Sequence, residues 1–420
     1  MSTRSISSFM KNRLTSRLAK AAIAATATLA IGAAIAQTVP PKPQPIPAPA
    51  PAAQSTQPGT IAAPPAVVGT AWVLLDAASG RILAGQNYNE RLEPASITKV
   101  MTAYVIAAEL AAGRVKEDDQ VMMTERAWRE GGAGTDGSYS GFPVNQTAPL
   151  IEMDKGMVVQ SGNDAAIALA EHVAGTPEAF ADLMNHYAAK IGMKNTHFMN
   201  PTGLPDANHY STAYDLALLG RALANDYPKA YSYNSIKEFT VGPITQQNRN
   251  LLLWRDSTVD GIKTGHTAAA GYCLMASAKR GDMRLVSVVL GSTSMEQRSS
   301  DSLAILNWGF RFFEAHKIYD AGKAIATPRV FRGAAQQLNV GVATPLVVVV
   351  PRGQTGALKP IMDIQKSIVA PIKKGQSVGS VKVMQGDKVV TQVPLVAMED
   401  VAEGGFFRRI WDSIMMWFQG

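Results

Sequence analysis

Glu93-Pro94-Ala95-Ser96-Ile97-Thr98-Lys99-Val100-Met101-Thr102 is the stretch from which the rest of the chain is read. Pro94 precedes a long helical pattern that runs from Ala95 to about Ala112 and closes at Gly113. Ser96 and Lys99 stand three positions apart, a spacing that puts hydroxyl and amine on one helix face, one turn from each other. A serine hydroxyl is a poor nucleophile until a neighbour removes its proton. A lysine can remove it only where desolvation or nearby positive charge makes the neutral amine accessible. The pattern alone is weak. It recurs at Ser8 to Lys11, and a serine at a helix start also reads as an N-cap.

Upstream, Trp72 to Asp76 and Arg81 to Ala84 flank Ala77-Ala78-Ser79-Gly80 and predict a β-hairpin with glycine in the turn. Downstream, apolar spacing of three and four predicts helices over Asn163 to Val173, Pro177 to Ile191 and Ala213 to Asn225. Strand patterns return at Gly271 to Arg280 and Arg284 to Leu290. A last helix is expected over Ser299 to Lys317, with Gly309 inside it as a weak point. Strands at both ends with helices between them predict an α/β (α+β) domain, a sheet flanked by helices that brings its two ends together.

Beyond Ile318 the texture changes. Short β-branched runs at Leu346 to Val350, Ser367 to Ala370, Ser380 to Val383 and Lys388 to Val393 alternate with turn residues and predict a small all-β domain. At the C-terminus a helical wheel from Phe406 gathers Phe406, Phe407, Ile410, Trp411, Ile414, Met415, Trp417 and Phe418 on one half. Arg408, Arg409, Asp412, Ser413 and Gln419 fall on the other, with Met416 out of place. Such a face suits a helix lying in a membrane interface, or else one docked on the β domain or an oligomer seam.

At the other end, Arg4, Lys11, Arg13, Arg17 and Lys20 precede a largely apolar Ala21 to Ala33. Ala34-Ile35-Ala36 then offers a small-x-small cleavage site, so the start reads as a secretory signal, with an uncleaved anchor as the alternative. Gln37 to Pro65 is rich in proline and alanine and reads as a semi-rigid tether. The expected division is therefore 1–36 signal peptide, 37–65 linker, 66–317 catalytic domain, 318–400 β-rich domain and 401–420 amphipathic helix.

Composition excludes several classes. With 46% hydrophobic and 17% charged residues the chain is globular, and its net charge of +7 suits an anionic membrane or envelope polymer as well as nucleic acid. No Lys/Arg stripe with interleaved aromatics supports nucleic acid, which is set aside. The single cysteine, Cys273, can form no internal disulfide and reads as a small buried hydrophobe. The six histidines have no metal-ligand spacing, so neither a metal nor another cofactor is expected.

Two further motifs follow Ser96 in order. Ser161-Gly162-Asn163 ends an apolar run and opens a helix. There Ser161 could relay protons and the Asn163 amide could orient a substrate carbonyl, while a loop-to-helix cap is the plainer reading. Lys263-Thr264-Gly265, followed by His266, would on an exposed strand bind a carboxylate and let a substrate backbone pass close to the glycine. The plain alternative is a solvent-facing strand with a glycine bulge. Each signal is modest. The ordered triplet in an exported chain is the signature of penicillin-recognising serine enzymes.

On these motifs, and on Asn200-Pro201-Thr202-Gly203-Leu204, the chain from Val67 to Gly420 resembles the low-molecular-mass penicillin-binding proteins, the serine D-alanyl-D-alanine carboxypeptidases. Ser-Gly-Asn in place of Ser-Asp-Asn is typical of this branch. The resemblance implies Ser96 as acyl-enzyme nucleophile, Lys99 as its base, and Ser161 and Asn163 as a second wall that shuttles a proton and holds the peptide. Lys263 and Thr264, with Arg298 as a second cation, would bind the terminal carboxylate beside Gly265. The backbone N–H groups of Ser96 and His266 would form the oxyanion hole. The implied substrate is a peptidoglycan stem peptide, with β-lactam antibiotics as covalent inhibitors. The implied place is the periplasm, on the outer face of the cytoplasmic membrane, held by the C-terminal helix. Gly131 to Gln146, rich in glycine and serine, departs from the simplest pattern. The rival readings are a β-lactamase or DD-endopeptidase of the same superfamily, and a non-catalytic wall-binding module.

Overall fold

The computed structural model describes residues 61–419 except Ala133 and Asp136; the signal read at 1–36 and most of the linker lie outside the described residues. The chain enters the fold as a hairpin, β1 (Ala71–Asp76) and β2 (Ile82–Gln86). The turn Ala95–Thr98 then leads into α1 (Lys99–Ala111). The longer helices that follow are α2 (Leu150–Gln160), α3 (Asn163–Ala174), α4 (Pro177–Ile191) and α5 (Ala213–Asp226). The chain returns to the sheet in β3 (Val259–Thr267), β4 (Gly271–Arg280) and β5 (Met283–Ser292), then runs into α6 (Met295–Phe312).

The resulting sheet has the order β2-β1-β5-β4-β3 and is antiparallel throughout. It is buried on both faces, and the period-2 alternation of a strand sorts its side chains between two cores. Ala71, Val73 and Leu75 of β1, with Val286, Val288 and Leu290 of β5, pack on the helical cluster built from α1 to α5. Trp72 and Leu74, with Leu285 and Val289, face Ile305, Leu306 and Trp308 of α6 instead. Gly309 is explained by this packing. A Cβ there would stand 2.6 Å from both Leu285 Cδ1 and Leu74 Cδ2, so the helix can lie this close to the sheet only with glycine at that point.

The final helix differs from its expected span. It stops at Phe312, and Phe313–Tyr319 is a strand, β6, not a continuation to Lys317. The reason lies far along the chain: β6 pairs antiparallel with Leu346–Pro351, whose apolar run supplies a full ladder that helical spacing does not reveal. After β6 come β7 (Ala324–Ala326), β8 (Val340–Gly341), β9 (Leu346–Pro351), β10 (Leu358–Ile364), β11 (Ser377–Gln385) and β12 (Lys388–Ala397). Five of them form the sheet β7-β8-β12-β11-β10 around a separate valine-rich core. Phe313 and Val349 pack with Trp308 in the α6 core, and Arg81 donates to the Val349 carbonyl at 3.2 Å, so this β-rich part is joined to the first sheet by direct packing.

α7 (Phe406–Gln419) ends the described chain. Its buried Asp412 accepts the Arg332 N–H at 2.6 Å and an Arg329 guanidinium N–H at 3.2 Å. The opposite side stays open, with Phe407 86% and Trp411 64% exposed. Among the described residues no helix is long and apolar enough to cross a membrane.

Candidate active site

The first motif is held by its own backbone. Ala95 and Ser161, neither of them glycine, adopt φ of 47° and 64°, left-handed conformations that cost on the order of 1–3 kcal/mol each and persist where the surroundings over-determine them. The cap readings of both serines fail. Ser96 lies inside the short turn before α1, with its Oγ 3.0 Å from Lys99 Nζ. The N-cap of α3 is Gly162, with no side-chain cap bond.

Lys99 is buried at the junction of three elements. Its Nζ donates to Asn163 Oδ1 at 2.7 Å and to the Thr202 carbonyl at 2.7 Å. Burial, and after it the positive charge of Arg249, lowers its pKa to about 7, against the pull of Asp164 in the other direction. The amine is therefore neutral in a large fraction of molecules near neutral pH.

Ser161 ends α2, and Asn163 opens α3 two residues on. Ser138 and Ser140, from the glycine- and serine-rich segment, fold over this corner. Ser138 O accepts the Asn163 N–H at 2.8 Å, and Ser140 donates through both its N–H and its Oγ to the buried Asp164 carboxylate, each at 2.8 Å. Arg249 reaches the Ser138 hydroxyl and closes the wall.

Lys263, Thr264 and Gly265 lie on β3, the edge strand of the first sheet. They are not the plain solvent-facing strand of the alternative reading: Lys263 and Thr264 are buried. A Cβ at Gly265 would sit 2.9 Å from the Pro94 carbonyl oxygen and 3.2 Å from the Ser96 nitrogen, so glycine is what allows strand and turn to meet. Burial and the nearby charges of Lys99, Arg249 and Arg298 hold the Lys263 pKa well below its usual range. Its Nζ contacts the Thr264 carbonyl at 3.2 Å. His266 is exposed and stacks at a tilt on Tyr272, ring centroids 4.2 Å apart.

Arg298, on α6, reaches backbone. Its Nη1 donates to the Gly265 carbonyl at 2.9 Å and the Cys273 carbonyl at 3.2 Å, and its residue surface is only 2% exposed. The structure thus joins Ser96, Lys99 and Asn163 directly, sets Gly265 against the nucleophile, and ties Arg298 to the same strand. Sequence reading missed Arg249, Ser138, Asp164 and the Thr202 carbonyl. Ser138 and Thr202 lie in segments singled out from sequence, Gly131 to Gln146 and Asn200 to Leu204, but nothing marked either residue within them.

A Ser-x-x-Lys turn, a Ser-Gly-Asn corner and a Lys-Thr-Gly edge strand on an antiparallel sheet covered by helices define the penicillin-recognising class of serine enzymes. Residues 58–294 match the D-alanyl-D-alanine carboxypeptidase family, and residues 313–403 match the C-terminal domain of penicillin-binding protein 5. D-alanyl-D-alanine carboxypeptidase DacC of Escherichia coli (strain K12) is 46% identical over 358 residues, 84% of this chain and 89% of that one. DacA of the same strain is 42% identical with 84% and 89% covered. The crystal structure of penicillin binding protein 5 from Haemophilus influenzae superposes with a TM-score of 0.72 at 39% identity, covering 81% of this chain and 100% of that one. This chain belongs to the D-alanyl-D-alanine carboxypeptidase family.

Proposed function

We propose that the protein removes the terminal D-alanine of peptidoglycan stem peptides through an acyl-Ser96 intermediate, and that penicillins acylate the same oxygen. The observation that carries this reading is the set of partners around Lys99 Nζ. A neutral amine has two N–H bonds and one lone pair. Asn163 Oδ1 and the Thr202 carbonyl are acceptors only, so they take the two N–H bonds and leave the lone pair on Ser96 Oγ.

The steps follow. Ser96 Oγ passes its proton to Lys99 as it bonds to the carbonyl carbon of the penultimate residue. The oxyanion forms between the backbone N–H groups of Ser96 and His266, donors of a kind worth ~10²–10³ in turnover. The C–N bond then breaks, and the departing D-alanine amine takes the proton back from Lys99 through Ser161. Water, losing a proton to the now neutral Lys99, attacks the ester carbonyl carbon; the C–O bond to Ser96 breaks, and Lys99 returns the proton to Ser96 Oγ. Asn163 holds the peptide; Lys263 and Thr264 grip its free carboxylate; Gly265 lets its backbone lie along β3; and Arg298 supports that strand through the Gly265 carbonyl. In a penicillin the broken amide nitrogen stays tethered, so the adduct lives longer.

A fluorescent penicillin tests the reading. Wild-type protein is expected to carry one covalent label that vanishes in Ser96→Ala, and mass spectrometry of a pentapeptide digest is expected to lose one alanine per molecule. Absence of label on folded wild-type protein would reject the assignment. Loss of a larger fragment instead of alanine would make it an endopeptidase, and rapid turnover of the penicillin a β-lactamase.

We place the enzyme in the periplasm, on the outer face of the cytoplasmic membrane. The signal pattern at 1–36 supports export, and the aromatic side of α7 supports membrane attachment, since Asp412 anchors the polar side to the β-rich part and leaves Phe407 and Trp411 outward. Deleting Phe406 to Gly420 is expected to move the protein from the membrane pellet to the soluble envelope fraction. Unchanged pelleting of the truncated protein would refute attachment through α7.

A further inference from the structure

The lone-pair argument needs both carbonyl acceptors of Lys99 held in place. Asn163 is fixed by the start of α3 and by the Ser138 carbonyl on its N–H. The Thr202 carbonyl belongs to a loop, which is ordered from within by Asn200 Oδ1. That oxygen accepts from Thr202 N, Thr202 Oγ1 and Gly203 N at 3.2, 2.9 and 2.8 Å. These bonds shape the loop but do not attach it to the nucleophile.

Attachment comes from a buried residue outside the three motifs. His209 Nδ1 accepts the Met199 backbone N–H at 3.1 Å, at the head of the loop. Its Nε2 lies 2.9 Å from the hydroxyl of Thr98, the residue just before Lys99. Because Nδ1 accepts an N–H, it carries no proton, so the neutral ring holds its hydrogen on Nε2 and donates it to Thr98 Oγ1. Burial, opposed by Asp206 and reinforced by His197 and Lys99, lowers the ring's pKa to about 4, so this tautomer holds throughout the neutral range. Phe198 stands edge-on to the ring at 5.6 Å. Thr102 Oγ1 adds a second tie to the Pro201 carbonyl at 2.7 Å, but from one turn further along α1.

We propose that His209 is a positioning residue for acylation: locked as the Nε2–H tautomer, it clamps the Met199–Gly203 loop to Thr98 and thereby aims the Thr202 carbonyl at Lys99 and the amine lone pair at Ser96. This rests on the reading of Lys99 as the base. It gives His209 a catalytic consequence without contact with substrate.

The test uses the full chain with His209→Phe, which keeps an aromatic ring but neither nitrogen, and His209→Gln, which keeps a donor and an acceptor. The readout is the second-order rate of labelling by fluorescent penicillin across pH, corrected to the fraction of molecules that label eventually, with a thermal melt alongside. In His209→Phe the plateau rate is expected to fall about 10²-fold, the scale of a 1 Å misplacement near the chemistry. The acid limb is expected to move below about 7, because a loosened Thr202 carbonyl no longer favours the ammonium form. The charged groups facing Lys99, namely Arg249, Lys263 and Asp164, are unchanged by the substitution. His209→Gln is expected to recover part of both effects. If His209→Phe does not fold, Thr98→Val removes the other end of the clamp and is expected to show the same shift. A lowered melting temperature with unchanged plateau and acid limb would overturn the clamp and leave the Lys99 reading standing. Labelling that survives Lys99→Met would overturn both.

Discussion

Lys99→Met is expected to cut acylation by penicillin about 10²–10⁴-fold or more, the range that a general base contributes, while the protein still folds. Methionine fills nearly the same volume without a proton acceptor, so Ser96 Oγ keeps its place and loses its base. The stability of the variant carries a second, independent signature. The native pKa of Lys99, about 7, lies below the ordinary lysine value of 10.5, so between these limits the unfolded chain binds the extra proton. Wild-type stability therefore rises with pH across that window. The penalty is full at and below pH 7 and gone above 10.5, and it amounts to several kcal/mol on the scale of about 1.4 kcal/mol per pKa unit. Methionine escapes the penalty but strands two buried acceptors, Asn163 Oδ1 and the Thr202 carbonyl, at about 1–3 kcal/mol each. The two effects nearly cancel at neutral pH. The difference between variant and wild type should then turn against the variant toward pH 10, as read from urea midpoints at the two pH values. A constant difference would mean that Lys99 is charged in the native state throughout, and the base assignment would fall.

What could be read beforehand divides along a physical line. Ser96 and Lys99 were legible because a three-residue spacing on a helical turn is local geometry. The hairpin of β1 and β2, and helices α3 to α5, were legible because their apolar period is written in adjacent residues. β6 was not, since Phe313 to Tyr319 becomes a strand only through its pairing with Leu346–Pro351. The Thr202 carbonyl and the two carbonyls held by Arg298 were invisible for a different reason: every residue has a carbonyl, so no side-chain pattern marks the ones that matter. Arg249 stands in Gln247-Asn248-Arg249-Asn250, which has no periodicity, yet its charge helps set both active-site lysines.

Lys263→Gln is expected to lower kcat/KM for a peptide with a free C-terminus by about 10²–10³-fold, the consequence of removing one partner from a buried charge pair worth about 2–5 kcal/mol. Glutamine can still donate a hydrogen bond, so a loss of this size would come from charge. The same substrate with its terminal carboxylate amidated separates recognition from chemistry. Wild-type protein should prefer the carboxylate by a similar factor, and the variant should treat the two peptides nearly alike. The pH profile gives the complementary reading. The acid limb, from Lys99, should stay near 7, since burial and the charge of Arg249, both left unchanged, set it. The alkaline limb should be lost, because burial and the charges around Lys263 bring its deprotonation well below the usual lysine range, and a neutral amine grips a carboxylate poorly. An intact preference for the free carboxylate in Lys263→Gln would move the recognition role to another cation at the same mouth. Arg249 is the residue placed to take it, because its charge already reaches both lysines.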